Sequence, residues 1–424
     1  MHKKSSLVPM IIIGILFFIF GFVTWLNGSL IPFLKFILDL NEFEALFVTF
    51  AFYIAYTVMA LPMAAVLERT GYKNGMALGL GVMVIGSLLF IPAATSANYA
   101  LFLTALFTLG TGLTILQTAS NPYIVLVGPI ESAAMRISIM GLINKSAGVL
   151  VPILFTALVF SGLGSTETLS QVEIDTLAQR LITPYIIMAV VLTGLIALVK
   201  FSSLPELEFE GDDYDRDTIL HFPRVVLGAI ALFFYVGIEV IAGDTIGLYA
   251  QTLEVANATA LTSYTMVFMV FGYLIGVAFI PKVLSQEKAL IGSAFFGALF
   301  LLGVAFSSTT SHSIAELLWG WSGVATLPNT ITFVALLGLA NALVWPTIWP
   351  LALEGLGRHT AKGSALLIMA IAGGAILPLA FGKIAQVSGN MQESYLYGII
   401  CYFFIFLYAV KGHKISSWKS SDND

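Results

Sequence analysis

Apolar stretches of twenty or more residues alternate with short polar breaks along almost the whole chain, and each is long enough to cross a hydrocarbon core as an α-helix. Turn residues and charges predict twelve such helices, over residues 7–38, 43–67, 75–95, 98–127, 136–162, 178–200, 224–252, 259–283, 288–308, 327–356, 363–386 and 392–411. The first follows Met1–Lys4, is too long for a secretory signal and lacks a small-residue cleavage site, so it reads as a retained span. The basic residues support the count. Lys3, Lys4, Arg69, Lys73, Arg136, Lys200, Arg216, Arg224, Lys282, Lys288, Arg358, Lys362, Lys411, Lys414 and Lys419 fall on one side, but only Lys35, Arg180 and Lys383 on the other. The positive-inside rule makes the crowded side cytoplasmic, with both termini inside.

Composition gives the same class. Only 10% of the 424 residues are charged and 58% are hydrophobic, with a mean hydropathy of +0.95; soluble proteins average about 25% charge. The net charge of −5 offers no basic surface to nucleic acid. A single cysteine, Cys401, lies in an apolar run, which excludes a disulfide framework and a cysteine metal cluster. All five histidines (His2, His221, His312, His359 and His413) fall in loops or tails, so there is no HExxH zinc site. No GxxxxGK[ST] phosphate cradle occurs either. An enzyme is not expected, and any work must come from a gradient.

The chain divides in the middle. Residues 201–223 carry Glu206, Glu208, Glu210, Asp212, Asp213, Asp215 and Asp217 and read as a solvated cytoplasmic linker between six-span halves at 1–200 and 224–424. Ser138, Gly148 and Pro152 in the fifth span recur in step as Ser364, Gly374 and Pro378 in the eleventh. The prediction is an all-α membrane protein with two pseudo-symmetric six-helix halves related by an axis along the membrane normal. On the outer side, 307–329 forms a long break whose Trp319 and Trp321 read as interfacial anchors.

Polar groups at membrane depth are costly and mark function. They gather at Trp25 and Asn27 in span one, Gln117 and Asn121 in span four, Asn144 and Lys145 in span five, Glu239 and Asp244 in span seven, and Asn341, Trp345 and Trp349 in span ten. Gln117 and Asn121 share a helical face, and the last three form one stripe at four-residue spacing. Spans one, four, seven and ten hold equivalent places in the four three-helix units of the repeat, so they are expected to line one cavity. Amides donate to and accept from adjacent hydroxyls, while tryptophan packs on the C–H face of a sugar ring. An anionic substrate would instead call for an arginine clamp, and no arginine lies deep in a span. Glu239 and Asp244 are five residues apart, roughly 140° around a regular helix, and converge only if the helix loosens at Gly243 or Gly247.

At these residues the chain resembles the fucose permease branch of the major facilitator superfamily, especially bacterial glucose/galactose transporters. Four stretches carry the resemblance: 117–123 (QTASNPY), 138–148 (SIMGLINKSAG), 239–245 (EVIAGDT) and 341–349 (NALVWPTIW), the last followed by GSALLIM at 363–369. The loop Leu67–Lys73 resembles a degraded form of the superfamily's gating motif, with Glu68 near the place of its aspartate. The resemblance implies ion-coupled sugar uptake by alternating access in the bacterial cytoplasmic membrane, by a protein working as a monomer. There is one departure. Proton-coupled fucose permeases carry an aspartate in span one and a glutamate in span four, where this chain has Gly28 and Gln117. Some glucose/galactose members are sodium-driven, and Gly28 overlays Asp244 when spans one and seven are aligned on Gly21 and Gly237.

The expectation is therefore a symporter for a neutral hexose such as glucose, galactose or mannose. Asn27, Gln117, Asn121, Asn144, Asn341, Trp345 and Trp349 would bind sugar. Asp244 and then Glu239 would hold the coupling cation, sodium as the first reading, with Lys145 as the charge that a carboxylate releases when the cation binds. A proton-coupled sugar symporter and a sugar-binding membrane sensor are the alternatives.

Overall fold

The computed structural model describes residues 7–126, 133–161, 170–204, 219–280, 282–356 and 360–418. Among them there is no strand. Twelve helical segments are long and apolar enough to cross a membrane. The first six are Leu7–Leu38, Glu42–Met63, Ala65–Ser96, Tyr99–Ser120, Arg136–Val159 and Gln171–Phe201. The last six are Pro223–Asp244, Ala258–Phe279, Gln286–Phe306, Asn329–Leu353, Gly363–Ser388 and Met391–Lys414. These are spans one to twelve below, and they match the predicted segments one for one. The acidic run between Glu206 and Asp217 lies outside the described residues.

Local sequence explains where the elements differ from expectation. The helix from Phe47 to Ser96 leaves helical geometry inside span three at Gly71, whose φ of 77° lies in the region that glycine enters without a side-chain clash. Span six begins at Gln171, ahead of the predicted 178, because Ser170 and Glu173 form a capping box that satisfies the first free amides. The outer break contains a short helix, Ser313–Trp319, and Trp319 packs near Tyr264 and Phe268, with ring centroids 5.7 and 6.0 Å away.

Helix is locally interrupted at three places in the spans expected to line a cavity: at Leu26 in span one, at Ala342–Leu343 in span ten, and at Thr245 just after span seven, where helix resumes as Ile246–Thr252. Interrupted helices at membrane depth are tolerated where the freed backbone faces protein or a water-filled site. After span seven, Thr245 donates through Oγ1 to the Ile241 carbonyl and shares a 2.6 Å hydrogen bond with the Tyr395 hydroxyl.

Helix–helix packing uses small residues, because lipid supplies little hydrophobic drive between helices. Gly21 in span one lies directly against the backbone carbonyl of Asn144 in span five, with no room for a Cβ. Gly21→Val is therefore expected to push these spans apart and cost about 1–3 kcal/mol, read as a lower unfolding temperature of the purified protein in detergent.

The first six spans meet the last six at the end that the charge pattern assigns to the outside. Ser29 Oγ donates to the Thr259 carbonyl at 2.6 Å, and Thr156 and Thr259 share a hydroxyl hydrogen bond of 2.7 Å. Gln251 Nε2 donates to the Pro32 carbonyl at 2.8 Å, and Ser263 Oγ donates to the Val149 carbonyl at 2.7 Å. Lys383 lies 5.1 Å over the Phe43 ring.

Candidate functional site

Spans one, five and seven bring four polar side chains into one connected group. Lys145 Nζ lies 2.5 Å from Glu239 Oε1, a buried ion pair joining span five to span seven. The same ammonium lies 4.3 Å from the centroid of the Trp25 ring. Trp25 Nε1 donates to Asn144 Oδ1 at 3.2 Å, and Asn144 Nδ2 reaches the Phe17 carbonyl at 3.5 Å. Trp25 fits here because Gly148 and Gly243 leave space on either side; a Cβ at Gly243 would lie 2.5 Å from the ring. Lysine and glutamate thus neutralise one another, and the indole face supplies a further cation–π contact.

Aromatic groups surround this pair. Trp345 and Trp349 stack with centroids 5.1 Å apart and planes 22° apart, and Tyr235 of span seven lies 6.4 Å from Trp345. Tyr53, Tyr235 and Tyr273 all lie within electrostatic reach of Glu239. Across the group, Gln117 Nε2 donates to the Tyr56 hydroxyl at 3.2 Å, and Tyr56 stacks on Tyr53. Gln117, Asn144 and Trp345 remain half-buried, while the charged pair beside them is closed to solvent.

Asp244 is held apart from Glu239. It has zero exposure; Oδ2 accepts a hydrogen bond from Thr49 Oγ1 of span two at 3.1 Å, and Oδ1 has no hydrogen-bond partner among the described residues. The helix is continuous from Pro223 to Asp244 and breaks only afterwards, so the two carboxylates keep their divergent directions. An ionised carboxylate in low dielectric with one hydroxyl donor is under-compensated by several kcal/mol (about). At Gly28, where the resemblance implies an acid, an added Cβ would lie 3.0 Å from the Gly243 carbonyl and closer still to the Thr262 hydroxyl, so no side chain fits there without a shift.

The other predicted residues separate. Asn341 is fully buried and accepts a 2.7 Å hydrogen bond from Tyr402 of span twelve. The helix loosens at Ala342–Leu343, between Asn341 and Trp345, although Ala342 and Leu343 keep right-handed helical angles. Asn27 is buried at 1% exposure, with no hydrogen-bond partner for Nδ2 among the described residues. The side chain of Asn121 lies outside the described residues. Sequence reasoning passed over Thr49, Tyr53 and Tyr56, although their spacing of four and three residues puts them on one face of span two. Tyr235 and Tyr273 carried no signal beyond being aromatic.

A model of the Major Facilitator Superfamily matches residues 13–380. The glucose/galactose transporter of Brucella abortus biovar 1 (strain 9-941) is 37% identical over 408 residues, covering 94% of this chain and 93% of that protein. The L-fucose-proton symporter of Escherichia coli (strain K12) is 27% identical over 435 residues, covering 96% of this chain and 94% of that protein. Among solved structures, the transporter FucP in its outward conformation matches with a TM-score of 0.72 at 24% identity, covering 96% of this chain and 99% of that one.

Proposed function

The chain belongs to the Major Facilitator Superfamily, and from that premise we propose that it imports a neutral hexose of the glucose, galactose or mannose type, coupled to a cation held at Asp244. It is a multi-pass protein of the bacterial cytoplasmic membrane and a sugar transporter, as its relatives' names support. One observation carries the hexose reading. The half-buried groups Gln117, Asn144 and Trp345 are neutral hydrogen-bonding or stacking groups, while Lys145 beside them is already paired with Glu239. That lining suits hydroxyls and a C–H ring face rather than an anion.

The two six-span halves, 1–200 and 224–424 joined by the 201–223 linker, alternate as units. With the termini inside, the cross-half hydrogen bonds around Thr259 belong to the state closed to the outside. Sodium is the first assignment for the coupling ion, because Asp244 is a hard oxygen ligand and the span-one and span-four acids of proton-coupled fucose permeases are replaced here. A proton is the second, favoured by the similarity to L-fucose-proton symporters.

Counterflow tests the sugar assignment without any gradient. Proteoliposomes preloaded with unlabelled glucose should exchange it for labelled glucose, galactose or mannose. Absence of exchange for all three would contradict the hexose reading. Trp345→Ala should raise the half-saturating sugar concentration about tenfold, the scale of one lost stacking contact, in the same assay. An unchanged value would remove Trp345 from the sugar site.

A further inference from the structure

We infer that Thr49 is a second ligand of the coupling cation, so that the ion site is shared between the two halves and is complete only when they are apposed at that level. The inference rests on the cation-coupled reading above and adds a residue to it. Thr49 and Asp244 stand 195 residues apart, on spans two and seven, and both have zero exposure. The hydroxyl lies 3.1 Å from one carboxylate oxygen, and the other oxygen, Oδ1, is buried with no hydrogen-bond partner among the described residues.

Three further observations narrow what this pair can do. Among the described residues no cluster of three or more His, Cys, Asp or Glu could hold a metal ion, which argues against a transition-metal site and leaves hydroxyl and carbonyl oxygens to complete a shell for a hard cation. The neighbouring acid, Glu239, is committed to Lys145, so it leaves Asp244 without a compensating charge. Thr49 also departs from the usual behaviour of a membrane threonine, whose hydroxyl commonly donates to the carbonyl four residues earlier. Thr104, Thr108, Thr114 and Thr118 all do this, whereas Thr49 reaches across to the other half.

A hydroxyl beside a carboxylate supplies an oxygen lone pair as well as a proton donor. A sodium ion between them draws span two toward span seven and favours the conformation in which both ligands converge. Cation binding thereby becomes a force that closes the outer end over the sugar. Cation affinity and closure are then one equilibrium, which would not hold if Asp244 bound sodium with ligands from its own half alone.

The test uses the full-length protein in proteoliposomes, with labelled glucose uptake measured against sodium chloride concentration, choline replacing sodium. Thr49→Val keeps the side-chain shape and removes the oxygen. It should raise half-saturating sodium at least about tenfold, the loss of one charge-assisted oxygen contact, and shift the glucose KM at saturating sodium less than about threefold. Thr49→Ser should restore most of the sodium affinity. A valine variant with wild-type sodium dependence overturns the inference, and so does wild-type uptake driven by protons and indifferent to sodium. Absence of any cation-driven accumulation by the wild type would instead refute the cation-coupled reading itself, so the two failures are distinguishable.

Discussion

Asp244→Asn is expected to reduce gradient-driven hexose accumulation to simple equilibration, while counterflow persists within about tenfold of the wild type. Asparagine matches aspartate in shape, and its Oδ1 can still accept the Thr49 hydrogen bond. What it removes is the one buried carboxylate that has no cationic partner among the described residues. With the acid present and unneutralised, closing the outer end confines a bare charge in low dielectric, which costs several kcal/mol (about); a bound cation relieves that cost, and coupling follows. With asparagine, closure no longer depends on the ion, so sugar crosses but cannot be concentrated. Accumulation ratios under an imposed gradient, measured beside counterflow on the same preparation, check this. Retained concentrative uptake would show that the coupling group lies elsewhere.

The second large effect concerns Lys145 and Glu239. Glu239→Gln leaves a buried ammonium and Lys145→Met leaves a buried carboxylate; breaking a buried pair from one side costs about 3–5 kcal/mol. Each single variant should therefore unfold at a markedly lower temperature in detergent and lose most transport. The double variant Lys145→Met/Glu239→Gln removes both charges, and a neutral replacement for a buried pair is close to break-even in stability. It should recover the unfolding temperature. Transport distinguishes a latch from a strut: the pair joins spans five and seven, so a latch predicts that the double variant folds well yet accumulates hexose poorly. Full recovery of both would make the pair purely structural.

How much of this was legible in the sequence depended on the kind of signal. The twelve spans were readable because hydrocarbon thickness fixes their length and because lysine and arginine sort by side. Lys145, Glu239 and Asp244 were recognisable because charge at depth is rare. Their partners were not, since pairing depends on how helices turn toward one another. Thr49 was missed because a threonine in a membrane helix ordinarily satisfies itself and leaves no trace in the pattern. Asn341 was recognisable as an amide at depth, but its hydrogen bond from Tyr402 of span twelve depends on how distant helices turn toward one another and leaves no trace in the spacing. Gly28 packs so closely against the Thr262 hydroxyl and the Gly243 carbonyl that a side chain there would clash, a restriction that the sequence alone could not show.

The most direct test of the account is uptake of labelled glucose and galactose into proteoliposomes containing the purified wild-type protein, under an inward sodium gradient or an inward proton gradient in turn. The account predicts accumulation above equilibrium under the sodium gradient, collapsing when sodium is equal on both sides. Accumulation under the proton gradient alone would keep Asp244 as the coupling acid but contradict the sodium assignment. Failure to accumulate either hexose under both gradients would contradict cation-coupled hexose import.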